Sequence, residues 1–221
     1  MRLRFPTRFR SFWDVVALLV LAWFTVLMVR ITVQYIPWSR TAAFLQIKQT
    51  EVTGTAWYLP VFYTHVYSAL FTLLAGFTQF RKGLLQTAPR LHRQLGYVYV
   101  VTVLLFAAPS GWLMGLVANG GLIAQTFFTV LALFWWISTY KALQKARNRQ
   151  FAAHRAWMIR SYALALSAIT LRLWKLVLVQ TFAPPPMDVY IWVSGLGWIP
   201  NWLLAEWLLF RNAKRREARL Y

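Results

Sequence analysis

The chain has 221 residues, 59% hydrophobic, 18% aromatic and 13% charged. A soluble domain carries about 25% charged residues, so this composition speaks against a water-soluble globular protein. The charge is lopsided, 24 Lys and Arg against 5 Asp and Glu, a formal net +19. In a soluble chain that excess would point to nucleic acid. In a membrane chain it records how the helices were inserted. The absence of Cys removes disulfides, thiolate nucleophiles, Fe–S clusters and Cys-ligated zinc.

A spanning helix needs about 20 mostly apolar residues. Six runs qualify, at residues 12–36, 57–80, 95–117, 122–140, 156–182 and 189–210. They are continuous and longer than the alternating strands of about 10 residues that build barrels. The sequence therefore predicts an all-α integral membrane bundle of six transmembrane helices, a single transmembrane domain over residues 1–221.

The first run follows Arg2, Arg4, Arg8 and Arg10 and begins like a signal peptide. It is longer than the roughly 7–15 residues of a signal-peptide apolar core, so we read it as an uncleaved signal anchor. Residues 37–56 form an outer loop carrying Arg40, Lys48 and Glu51. The second run carries His65, eight residues beyond Trp57 and so roughly 12 Å below the outer edge. Breakers separate the later runs: Arg81-Lys82-Gly83, Asn119-Gly120-Gly121 and Ala183-Pro184-Pro185-Pro186. Residues 211–221 form a basic tail.

The positions of the charges set the topology. With the N-terminus inside, its four Arg are cytoplasmic, and so are Arg81, Lys82, Arg90 and Arg93 of the first inner loop. The second inner loop and the helix start after it add Lys141, Lys145, Arg147, Arg149, Arg155 and Arg160. The tail adds Arg211, Lys214, Arg215, Arg216 and Arg219, making 19 of the 24. This positive-inside bias puts both termini in the cytoplasm. Attraction to anionic headgroups is then the ordinary role of the basic clusters, so membrane lipids are the expected partners and nucleic acid is not. Trp38, Trp57, Tyr58, Trp112, Tyr140, Trp157 and Tyr190 fall near span ends, as an interfacial belt requires.

Ionisable side chains are expensive inside a membrane and usually face the bundle interior. His92 and His154 both stand in His-Arg pairs at the cytoplasmic start of an inward-to-outward helix. This repetition hints that spans two–three and four–five are related hairpins. His92, Gly96 and Tyr99 share one helical face, and so do His154, Met158 and Ser161. Two imidazoles at equal depth can ligate one b-type haem or bind a quinone headgroup; the plainer reading leaves each at headgroup level beside its Arg. His65 lies more than roughly 15 Å from that depth and cannot share the haem.

Arg160 and Glu206 both fall in the inner half, where an ion pair spares either from being a lone charge. Arg30, Arg172 and Lys175 lie in the outer half with Glu51 and Asp188 as the nearby acids. His65, Arg172, Lys175 and Asn201 are thus candidates for an outer polar pocket for an anionic solute or a lipid phosphate. The bland alternative is that Lys175 and Arg30 snorkel to the outer headgroups. Pro200 predicts a kink in the sixth run, where Asn201 can cap a freed carbonyl or line a cavity. Nothing resembles a P-loop, a nucleophile elbow, a metalloprotease helix or a paired-carboxylate site.

The stretches Leu73-Leu74-Ala75-Gly76-Phe77-Thr78-Gln79-Phe80, with His65, and Leu91-His92-Arg93-Gln94-Leu95-Gly96-Tyr97-Val98-Tyr99 carry a family resemblance. So do His154-Arg155-Ala156-Trp157-Met158-Ile159-Arg160-Ser161-Tyr162, Ile169-Thr170-Leu171-Arg172 and Trp198-Ile199-Pro200-Asn201-Trp202 through Trp207. On these residues the chain resembles a family of uncharacterised bacterial multi-pass membrane proteins, a domain of unknown function. The resemblance covers about residues 57–210 and implies the fold and a bacterial inner-membrane setting, without a reaction. A looser similarity is to helical bundles of the cytochrome b561 and ferric reductase type, which hold haem between His residues of neighbouring helices. With three His, and none on span four or six, this chain builds at most one bis-His haem.

Two functions follow as expectations. The first is a redox module with haem or quinone at His92 and His154, working with a redox partner or another membrane subunit. The second is a non-enzymatic accessory subunit, or a carrier for a small anionic or lipidic solute.

Overall fold

A computed structural model describes residues 12–79 and 82–217. Arg2, Arg4, Arg8, Arg10, Arg81 and Arg219, on which part of the charge reading rests, lie outside the described residues. Among those described, every regular element is helical. The chain divides into two compact units, Met1–Thr102 and Val103–Tyr221.

The first unit contains α1 (Phe12–Val33), a 3-10 helix (Ala43–Lys48), α2 (Gln49–Gly54), α3 (Tyr58–Gln79), α4 (Lys82–Thr87) and α5 (Pro89–Val101). α1 satisfies its own hydroxyls: Thr25 and Thr32 donate to the carbonyls of Leu21 and Met28, four residues back. Two tight turns onto Thr32 and Val33 end it, and Pro37 forbids a continuation. α3 packs against both α1 and α5.

The segment 37–56, expected as an outer loop, holds two short helices, and aromatic side chains fasten it to the N-terminal half of α3. Tyr63 Oη donates to the Ser39 carbonyl at 2.9 Å and accepts from the Ser39 N–H at 2.7 Å. Tyr67 Oη donates to the Tyr35 carbonyl at 2.7 Å, and Trp38 stacks on Tyr63 with ring centroids 4.5 Å apart. Lys48 is 2% exposed and meets Glu51 at 2.7 Å. A short segment with this many anchors is structured although no apolar periodicity marks it.

The second unit contains α6 (Ala108–Leu116), α7 (Gly121–Arg147), α8 (Phe151–Ala165), α9 (Ser167–Phe182), α10 (Pro186–Leu196) and α11 (Ile199–Glu217). A π-helix, Thr102–Ala107, leads into α6. Pro109 has no N–H to offer the Leu104 carbonyl five residues back, the π-helix partner. The Trp136 indole supplies the missing donor at 3.1 Å. Gly120 turns the chain into α7 at φ +87°, a backbone conformation that favours glycine.

α7 packs against α6, α8 and α10, while α11 packs against α8. The fifth and sixth apolar runs are both interrupted. α8 gives way to α9 at Leu166, and α10 to α11 at Gly197 and Trp198. Among the described residues, four helices are long and apolar enough to cross a membrane: Tyr58–Ala75, Pro89–Leu116, Gly121–Arg147 and Phe151–Phe182. The sixth run is cut in two, and neither half is both long and apolar enough by itself. In the first run the described apolar stretch is the shorter Leu18–Val33. Large apolar side chains such as Leu122, Trp192 and Leu203 are exposed at 82%, 63% and 61%, as a surface bathed in lipid requires.

Candidate functional site

His92 and His154 occupy the same position in their helices. Each is the fourth residue, after Pro89 in α5 and Phe151 in α8. Each backbone N–H closes the first turn, onto Ala88 at 3.0 Å and Gln150 at 2.8 Å. Both are half-buried. The faces they head turn inward within their own units. In α5, Gly96 lies against Gln79 of α3, whose Nε2 donates to the His92 carbonyl at 3.3 Å, and Tyr99 is 1% exposed. In α8, Met158 and Ser161 are buried.

The α8 face is bound to α7 at two levels. His154 Nδ1 lies 2.8 Å from the Ala142 carbonyl, and Ser161 Oγ lies 2.7 Å from Thr139 Oγ1. Thr139 Oγ1 donates to the Trp135 carbonyl at 2.8 Å, so Ser161 donates in the second pair. A carbonyl can only accept, so His154 Nδ1 carries the proton toward Ala142. The neutral ring then presents a lone pair at Nε2. This is the arrangement by which a backbone carbonyl orients an imidazole that ligates a metal. Among the described residues, no group of three or more His, Asp or Glu could hold a metal ion.

Arg160 and Glu206 form a two-pronged pair between α8 and α11. Nε meets Oε1 at 2.6 Å and Nη2 meets Oε2 at 2.8 Å. The Arg160 guanidinium also lies 4.6 Å from the centroid of Trp157, which Lys141 Nζ approaches at the same 4.6 Å. Trp157 thus serves as a platform for two cations, a role its assignment to the interfacial belt did not capture.

The residues expected to form an outer polar pocket are each placed within their own unit. Arg172 and Lys175 are exposed on α9, with Arg172 Nη1 donating to the Ala168 carbonyl one turn back. Asn201 is half-buried and faces the interruption of the fifth run. Its Nδ2 donates to Thr170 Oγ1 at 2.9 Å and to the Ala163 carbonyl at 3.2 Å. Gly197 packs so tightly that an added Cβ would fall 2.9 Å from Leu171 Cβ. His65 is half-buried on α3, in the first unit.

Sequence reasoning missed Thr139, Thr170, Trp198 and the burial of Lys48. Only Lys48 left a signal, an acid three residues on at Glu51.

The sequence matches a family described as "predicted membrane protein (DUF2306)" over residues 62–209. Neither the curated proteins nor the solved structures yield a match. The matched segment runs from α3 into α11, and it includes His65, His92, His154, the Arg160–Glu206 pair and Asn201. The chain therefore belongs to this family of membrane proteins of unknown function.

Proposed function

We propose that the protein is a redox module of the bacterial inner membrane, with six spans and both termini in the cytoplasm, that holds one b-type haem through His154. One observation carries the reading: the His154 Nδ1 contact with the Ala142 carbonyl at 2.8 Å. With Nδ1 engaged in this way, Nε2 is the nitrogen through which His154 would hold the haem. His92, fourth in α5 as His154 is fourth in α8, is the second residue that would hold the group. Bound haem would supply one-electron transfer. The chain's own residues orient the ligand: Ala142 sets the ring, and the Ser161–Thr139 pair holds α8 to α7 one to two turns on. The Arg160–Glu206 pair braces α8 against α11. Lipids, and a redox partner or second membrane subunit, complete the setting.

The test is the absorption spectrum of the full chain purified in detergent after expression with ample haem. A Soret band is expected, lost in His154→Ala and in His92→Ala. A colourless wild-type preparation overturns the reading.

A second reading, a carrier for a small anionic or lipidic solute, draws on the paired interruptions at Leu166 and at Gly197–Trp198, since transporters build substrate sites at broken helices. Arg172→Ala should then abolish solute uptake into vesicles while sparing any Soret band. Unchanged uptake removes Arg172 from that role.

A further inference from the structure

Trp198 stands at the interruption of the sixth run and is 6% exposed. Its indole Nε1 is shielded from solvent and, among the described residues, meets no acceptor. A buried N–H left this way is unfavourable, and a bound acceptor would recover the loss. The surroundings restrict what that acceptor can be. The Trp198 ring stands edge-on to Phe134 of α7 at 5.9 Å, and Phe134 also meets Trp202 at 5.4 Å. Phe134 is 40% exposed on a helix whose neighbouring Leu133, Trp136 and Ile137 are likewise exposed. Trp198 is therefore buried next to a ring, Phe134, that is itself exposed on the apolar surface of the second unit.

A lipid tail could reach this surface but has no acceptor. A phosphate has acceptors, but its charge is costly away from the headgroups. A planar conjugated ring bearing a carbonyl meets both demands, stacking on the aromatic rings and accepting the indole N–H. We infer that Trp198, flanked by Phe134 and Trp202, is the headgroup site of a membrane quinone whose carbonyl oxygen accepts the indole N–H.

The choice of a quinone rests on the redox reading above; the need for an acceptor does not. Phe134 is eight residues from Ala142 along α7, about 12 Å, so this site is distinct from that of His154. Asn201, three residues beyond Trp198, ties the segment to Ala163 and Thr170. The donor is thereby held on a clamped backbone, and Phe134 is the exposed ring that a headgroup would displace.

Binding of decylubiquinone and of menadione to the full chain in detergent, corrected for partition into micelles, tests the inference. Trp198→Phe should bind both about tenfold more weakly, the loss expected for one hydrogen bond of about 1.4 kcal/mol. The infrared carbonyl stretch of quinone bound to the wild type should move to lower frequency, a readout that needs no variant if Trp198→Phe fails to fold. Equal binding by the variant, an unshifted carbonyl stretch, or no wild-type binding above micelle partition each overturns it. His154→Ala should keep quinone binding while losing the Soret band. A Soret band without quinone binding therefore fails this inference alone, and quinone binding without a Soret band fails the haem reading alone.

Discussion

Asn201 and Thr170 are bonded to each other at the level where both of their helical runs break, with Nδ2 2.9 Å from Oγ1. The same amide reaches the Ala163 carbonyl, on the other side of the Leu166 interruption. One side chain therefore links α8, α9 and α11. Breaking a helix in lipid exposes backbone groups that must find partners within the protein, and Asn201 is such a partner.

Asn201→Leu should accordingly destabilise the second unit by about 1–3 kcal/mol, the cost of leaving buried polar groups unmet. Thr170→Val, which leaves the Ala163 bond in place, should cost less. Denaturant unfolding in mixed micelles measures both. Equal costs for the two variants would remove the link across Leu166 from the account.

The Arg160–Glu206 pair has side chains 21% and 37% exposed. Removing one partner of a fully buried pair costs about 3–5 kcal/mol, and partial exposure reduces this. Glu206→Ala should cost about 1–3 kcal/mol by the same unfolding measurement. The double variant with Arg160→Met should be no worse than either single, because no unpaired charge remains. A double-mutant cycle that shows simple additivity would refute a direct energetic coupling.

Two glycines at helix contacts should differ sharply. A Cβ at Gly115 would meet the Thr129 nitrogen at 3.0 Å and the Phe128 carbonyl carbon at 3.2 Å, both backbone atoms that cannot yield. Gly115→Ala should cost about 1–3 kcal/mol through overpacking. At Gly96 the nearest atom is the Gln79 amide oxygen at 3.2 Å, the end of a movable side chain. Gly96→Ala should cost less than about 1 kcal/mol. The ranking of the two melting temperatures checks this.

Lys48 is buried and held by Glu51 at 2.7 Å. Glu51→Ala removes this carboxylate from a buried ammonium and should destabilise by about 1–3 kcal/mol, whereas Lys48→Met with Glu51→Leu should be tolerated better. Limited trypsin digestion in detergent offers a second check. Cleavage at exposed Arg40 should precede cleavage at Lys48 in the wild type, and Glu51→Ala should remove that order.

The long helices were legible because nothing but apolar residues over about 20 positions can span lipid. The interruption in the sixth run was legible as well, since Gly197 and Pro200 weaken a helix wherever they stand. The one at Leu166 was not: Ala163 through Thr170 contains no breaker, and the interruption coincides with contacts from a distant helix, through Asn201 and Gly197. The helices within residues 37–56 are six residues long and leave no periodicity to read. At the candidate site, residue types announced which charges need partners, as with Arg160. They could not announce that His154 is steered by a backbone carbonyl, because every residue carries one.

The two contacts that fasten α8 to α7 bear on how the chain enters the bilayer. Thr139, Ser161 and His154 bond to one another or to the backbone of α7. Helices emerging one after the other, joined by a three-residue turn, can complete these bonds without waiting for any other segment. The hairpin can leave the insertion machinery as a preassembled pair with its hydroxyls already neutralised. α9, α10 and α11 then have a finished surface to assemble upon, so the order of synthesis and the order of assembly coincide.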